Sequence, residues 1–88
     1  MSWFNRARPE QTEDAQEAWI TQARRAVFAS VPLEITFRLS MAFHENEYLI
    51  HVAFVTNDKV FVAKPSEDPT AFAKKKVVPW ILSSGLHV

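Results

Sequence analysis

The 88-residue chain has no cysteine and only one glycine, and each shortage excludes a class of site. Without cysteine there is no disulfide bond, no thiolate nucleophile, no zinc finger and no cysteine-held iron–sulfur cluster. A single glycine, Gly85, cannot build a glycine-rich loop that cradles phosphate. A secreted domain of this size usually carries disulfides, so the composition favours a cytoplasmic protein.

Long apolar runs and an excess of one charge are missing as well. No apolar run approaches the roughly 20 residues that a bilayer-spanning helix needs. The first residues also lack the apolar stretch of a signal peptide. Ten basic residues balance ten acidic ones, whereas proteins devoted to nucleic acid usually carry a basic excess. The composition therefore argues against a membrane span and against nucleic acid as the main partner.

The length and composition of the chain predict one domain, residues 1–88, with an N-terminal arm at 1–9 and a C-terminal tail at 84–88. Hydrophobic residues make up 48% of the chain and aromatic residues 12%, enough for a core. A chain this short buries only about 60–65% of its unfolded surface, so an exposed apolar patch needs an explanation. The Met at position 1 and the absence of linkers favour a standalone product.

A stripe of mostly small apolar side chains predicts a first helix over about residues 10–30. Either Pro9 is its first residue, or Thr12 or Asp14 caps it. Pro32 ends it. The stripe consists of Ala15, Ala18, Trp19, Ala23, Ala26 and Val27. Its small side chains predict that the helix lies close against a sheet.

Alternating polarity predicts an antiparallel meander with strands at 33–44, 48–55 and 59–64. The connections at 45–46 and 57–58 are taken as two-residue turns, which fix the strand register. That register makes every row of one face apolar. The rows are Phe43–Tyr48, Met41–Ile50, Leu39–Val52–Ala63 and Phe37–Phe54–Phe61. We therefore expect the helices to cover this face.

The other face combines polar and aliphatic rows, and its aliphatic part is the predicted partner-binding surface. The residues assigned to it are Leu49, Ala53, Val55, Val60 and Val62. The alternative is that the chain's own ends cover this surface, through Trp3 and Phe4 or through Leu86 and Val88. The third strand is also a sheet edge, with the uncharged run 60–63 available for strand addition.

The C-terminal segment predicts a helix with Asp68 as its cap and Pro69 as its first residue. The helix should run from Thr70 to Val77, and Pro79 should interrupt it before a short turn up to Ser83. Its buried side would hold Phe72, Ala73, Val77, Trp80 and Ile81. A fourth strand over 76–82 is the alternative.

Candidate catalytic and metal-binding groups do not converge in the predicted register. His44 and His51 share a face but lie about 13 Å apart, too far for one zinc ion. His51 lies beside Ser40 and Lys64, with no acid placed to orient its ring. We therefore predict a protein that is not an enzyme and has no catalytic residue, metal site or cofactor.

Lys74, Lys75 and Lys76 form the only basic run. With these lysines on the last helix, the helix–meander–helix order resembles that of double-stranded-RNA-binding domains. The glycine-containing basic loop of that family is missing, and the lysines lie at least six residues into the helix. The resemblance implies an alternative function, duplex binding through these lysines together with Arg24 or Arg25.

The sequence thus predicts an α+β fold of helix, three-stranded antiparallel meander and helix (αβββα), with the helices on one face of the sheet. The favoured function is a small binding or regulatory protein that forms a homodimer or docks on a larger protein. Chains of this size are often bacterial or phage accessory factors and inhibitors.

Overall fold

The computed structural model describes residues 11–85 and confirms the α+β architecture in the predicted αβββα order. The sheet has the strand order β1-β2-β3, with β2 in the middle. The elements are helix α1 (Glu13–Ser30), strands β1 (Arg38–His44), β2 (Glu47–Ala53) and β3 (Asp58–Ala63), helix α2 (Pro69–Phe72), a π-helical turn (Ala73–Val77) and helix α3 (Val78–Gly85). The last three are continuous and are called the C-terminal helix below.

Helix α1 begins at Glu13, so Pro9 is not its first residue, and of the two predicted caps Thr12 and not Asp14 is the cap. The Thr12 hydroxyl accepts a hydrogen bond from the Ala15 amide at 3.1 Å. Pro9 and the rest of the predicted N-terminal arm lie outside the described residues. The predicted stripe is buried from Trp19 onward, but Ala18 is exposed and was assigned to it wrongly.

Strand β1 is shorter than predicted, since residues 33–37 are not part of it. The Ile35 amide donates to the Pro32 carbonyl at 3.1 Å, which turns the chain and holds it away from the sheet. Leu33, predicted to face the core, is 96% exposed. The predicted strand was too long because the alternation of apolar and polar residues extends through this turn. Ile35 and Phe37 are half-buried at the margin of the core although they are not in β1.

The β1–β2 hairpin has the predicted register, with His44 opposite Glu47 and Met41 opposite Ile50. Its turn is the expected Glu45-Asn46 pair, and both residues have positive φ angles, 50° and 63°. Two left-handed residues are what a tight type I′ hairpin turn requires.

The β2–β3 register was predicted wrongly, by four residues. Phe61 lies opposite Ile50 and not opposite Phe54, and Ala53 pairs with Asp58. Residues 54–57 form the connection, in which the Phe54 amide donates to the Asn57 carbonyl at 2.7 Å. A shift by an even number of residues leaves the same side chains on each face, so the polarity pattern could not reveal the error.

The C-terminal helix begins as predicted, with the Asp68 carboxylate accepting from the Ala71 amide at 2.8 Å and Pro69 next. Pro79 does not interrupt it, which corrects the predicted break and the short turn after it. A π-helical turn precedes Pro79, and the Val78 amide donates to Ala73, five residues back. The wider turn accommodates the proline ring and the missing N–H.

The same helix settles two further predictions. Residues 76–82 are helical, so the fourth strand does not form. Ser84 and Gly85 belong to α3 and not to a tail, while residues 86–88 lie outside the described part. The predicted buried side is confirmed, with Trp80 half-buried and Val78 buried in addition.

Both helices pack on the same face of the sheet, as predicted. Trp19 of α1 stacks on Tyr48 of β2, with ring centroids 4.1 Å apart, and its indole N–H donates to the Glu67 carbonyl. Trp80 of the C-terminal helix contacts Phe54 and Phe61. The strand residues sealed beneath the helices are Tyr48, Ile50, Val52, Phe61 and Ala63.

Candidate docking surface

The sheet face opposite the helices is called the open face. Strand alternation places one residue in two on it, and its rows are Arg38–Ala53–Asp58, Ser40–His51–Val60 and Ala42–Leu49–Val62, with His44–Glu47 at the far end. The middle of this face is aliphatic and its two ends carry charge. No other described element packs over it, since the helices between residues 11 and 85 lie on the opposite face.

The predicted partner-binding residues divide into two groups. Leu49, Ala53, Val60 and Val62 lie on the open face as predicted, and Val60 and Val62 are 53% and 49% exposed. Val55 lies in the β2–β3 connection and is 99% exposed, so it was wrongly placed in a sheet row. The corrected register also makes Val62 level with Leu49 and Ala42, which joins three aliphatic side chains across all three strands.

The outer edge of β3 is the second part of the surface. Within residues 11–85 no strand pairs with that edge, so β3 ends the sheet on this side. Its two charged residues, Asp58 and Lys59, are the first two of the strand. The Lys59 ammonium lies 5.5 Å from the centre of the Phe61 ring, a cation–π contact within β3 itself. From Val60 to Ala63, β3 therefore has no charged side chain that would oppose pairing with another strand.

Sequence reasoning missed one polar pair, His51 with Asp58. The His51 Nε2 and an Asp58 carboxylate oxygen are 2.9 Å apart, because the corrected register brings Asp58 to the diagonal position beside His51. An acid is therefore placed beside the His51 ring, although the predicted register had none there. A shallow groove of about 380 Å³ runs past Arg38, Ser40 and His51. Both members of the pair are well exposed, with 42% and 63% of their side chains accessible.

A second groove, of about 400 Å³, lies at the end of the sheet where β1 begins, and Phe37, Phe54 and Val55 line part of it. Leu33 and Val55 are almost fully exposed nearby in the chain. Val55 was predicted in a strand, but the four-residue connection between β2 and β3 places it at this groove.

The residues of the alternative nucleic-acid function are also exposed. Lys74, Lys75 and Lys76 lie in the π-helical turn, and Arg24 and Arg25 lie on α1. Helix α1 packs directly against the π-helical turn, so the two groups belong to neighbouring elements of the helical layer. This layer is on the other side of the sheet from the open face.

The part of the chain that the structure describes contains no group of three or more His, Asp or Glu side chains able to hold a metal ion. None of its helices combines the length and the apolar character that crossing a bilayer requires. Comparisons with protein-family models, with curated proteins and with solved structures gave no match.

Proposed function

We propose that this chain is a non-enzymatic protein-binding module that acts through its open sheet face and the edge of β3. The observation that carries the proposal is the position of Val60 and Val62, half exposed on a face that no described element covers. A domain of 88 residues has little apolar surface to spare. Placing two branched aliphatic side chains in water on an edge strand is explained if a partner removes them from water.

The energy available supports binding of ordinary strength. Burying a valine or leucine side chain completely is worth roughly 1.5–3 kcal/mol, and about half of that remains to be gained at Val60 and Val62. Backbone hydrogen bonds along a free strand edge add affinity with little demand on side-chain sequence. Together they support a small regulatory or accessory protein whose partner is either itself or a larger protein.

A catalytic role is disfavoured by the setting of His51 and Asp58. Catalytic dyads work in sites that exclude water and hold a stabilising donor opposite the nucleophile. Here the pair lies on an open sheet surface, and its groove is shallow. We interpret the pair as a cross-strand contact that orients the rim of the docking surface.

Binding by Val62→Glu tests the proposal, with Gln22→Glu as a matched control. Both substitutions add one carboxylate to an exposed position, but Gln22 lies on α1, in the helical layer. Proteins retained by the immobilised chain are purified and titrated one by one, and self-association is measured by sedimentation. We expect Val62→Glu to weaken binding at least about tenfold, because it buries an unpaired charge, and Gln22→Glu to leave binding unchanged. Equal binding by both variants and the wild type contradicts the proposal.

Duplex nucleic-acid binding is the second candidate, supported by the exposed Lys74, Lys75 and Lys76 beside α1 with Arg24 and Arg25. It requires a complex with double-stranded RNA or DNA at low salt whose affinity falls steeply as salt is added. Replacing the three lysines with glutamine must abolish that complex. The absence of any complex at low salt eliminates this function.

A further inference from the structure

The sequence of β3 is complementary to itself when two copies run antiparallel with Phe61 at the centre. In that register Val60 of one copy lies opposite Val62 of the other, and Asp58 lies opposite Lys64, the residue that follows β3. Each pair occurs twice, because a two-fold axis relates the copies. Apolar cross-strand pairs and opposite charges directly across from each other both stabilise antiparallel strands.

The other free edge of the sheet lacks this property. Pairing β1 with a second β1 about its central residue, Met41, brings Arg38 opposite His44 twice, and neither residue is an acid. Shifting the β3 pairing by two residues in either direction removes the Asp58–Lys64 contact. Among these pairings, apolar and charge complementarity occur together only at the β3 edge in the register centred on Phe61.

From this complementarity we infer that the partner of the β3 edge is a second copy of the chain, which joins two meanders into one six-stranded antiparallel sheet. This inference depends on the proposed binding function and names its partner. The dimer extends the aliphatic row Ala42–Leu49–Val62 directly into Val60 of the second copy. The open faces of the two copies thereby form one continuous surface, while the helices of both copies lie on the other side.

The contacts of Lys59 and Asp58 leave the β3 edge accessible to a second strand. Lys59 extends along its own strand to the Phe61 ring, so its charge is held over β3. Asp58 has 63% of its side chain exposed although it contacts His51, so it is accessible to a lysine of the second copy. At the end of the strand, the Lys64 amide donates to the Glu67 carboxylate at 2.9 Å, which ends the ladder at that residue.

Disulfide cross-linking tests the register, and the chain's lack of native cysteine makes single-cysteine variants unambiguous. Residues directly opposite in antiparallel strands have Cα atoms about 4.5–5.5 Å apart, within disulfide range. Residues displaced by two positions are about 8 Å apart, beyond that range. We expect a mixture of Val60→Cys and Val62→Cys to form mixed dimers rapidly under mild oxidation. Either variant alone, and Leu49→Cys on the open face, should cross-link slowly.

Charge reversal tests the same pairing without cysteine. Asp58→Lys alone or Lys64→Glu alone makes both symmetric contacts repulsive, and we expect each dimer to dissociate about tenfold more readily than the wild type. Mixing the two variants restores both attractive contacts, so the mixture should associate as tightly as the wild type. A purely structural defect at either residue would not be repaired by mixing.

The inference is overturned if the chain stays monomeric at sub-millimolar concentration, if the Val60→Cys and Val62→Cys mixture cross-links no faster than either variant alone, or if mixing the charge variants restores nothing. Its failure is distinguishable from failure of the proposed function. If these self-pairing tests fail but Val62→Glu still weakens binding of another purified protein, self-pairing is wrong and the binding function stands. If Val62→Glu alters no binding at all, both are wrong.

Discussion

The two faces of this small sheet differ in polarity and in burial. The helix-covered face carries the buried residues Tyr48, Ile50, Val52 and Phe61, and tryptophans of the two helices contact Tyr48 and Phe61. The open face mixes polar and aliphatic side chains, and its two β3 valines, Val60 and Val62, are half exposed. Alternation along the strands thus places large apolar side chains in the core and leaves Val60 and Val62 half exposed on the opposite face.

The largest expected difference between the faces is at Trp19, which ties α1 to the sheet. It stacks on Tyr48 and donates a hydrogen bond to the Glu67 carbonyl at 2.9 Å. We expect Trp19→Ala to lower the free energy of unfolding by about 3–5 kcal/mol, enough to unfold many domains of this size. Chemical denaturation followed by circular dichroism measures it, and Trp19→Phe, which keeps the ring stacking, should cost clearly less. A loss below about 1 kcal/mol for the alanine variant would contradict this account of the core.

The same substitution on the two faces gives the sharpest comparison. Val52→Ala removes two methyl groups from a fully buried side chain, whereas Val60→Ala removes them from one that is 53% exposed. We expect unfolding free energies lower by about 1.5–3 kcal/mol for Val52→Ala and by less than about 1 kcal/mol for Val60→Ala. Denaturant midpoints of the dilute monomer measure both. Equal losses would mean that the open face is covered.

Tyr48 gives the covered face a dependence on pH. Burial raises the pKa of its phenol above the ordinary value of 10.0, and the neutral hydroxyl donates to the Gln11 side chain at 2.7 Å. The folded state therefore holds this proton more tightly than the unfolded state, so its contribution is present below pH 10.0 and is lost as pH rises above it. We expect the free energy of unfolding to fall more steeply there for the wild type than for Tyr48→Phe. Identical slopes would show that Tyr48 is not the cause.

The smallest expected effect is at the rim of the open face. Asp58→Asn weakens the 2.9 Å contact with His51, but both side chains are largely exposed. Exposed ion pairs contribute between 0 and about 1 kcal/mol, so the stability of the monomer should change by no more than that. Thermal unfolding in dilute solution checks it. A loss of several kcal/mol would mean that the pair holds the fold and is not part of a docking rim.

The two hairpins show how far the sequence determines the fold. In the first, Glu45-Asn46 supplies the two left-handed residues of a tight turn, and the register followed correctly. In the second, Asn57-Asp58 suggested the same turn, but Asp58 belongs to β3 and four residues make the connection. Polarity predicts which face a residue occupies, but it cannot distinguish registers that differ by an even number of residues.

The candidate site depends on that distinction. Leu49, Ala53, Val60 and Val62 were correctly assigned to the open face, because alternation alone decides it. The His51–Asp58 contact and the displacement of Val55 into a loop required the true register. The prediction at Pro79 was wrong for a different reason. A π-helical turn accommodates a proline that would break an α-helix, and no local sequence pattern predicts such a turn.

We infer that the molecule covers one face of its sheet with its own helices and pairs through the β3 edge with a second copy. Amide hydrogen exchange of the wild type in dilute and in concentrated solution tests it most directly. The account predicts that amides of β3 exchange more slowly at high concentration, while those of β1, the other edge, do not change. Identical exchange of β3 at both concentrations would contradict it.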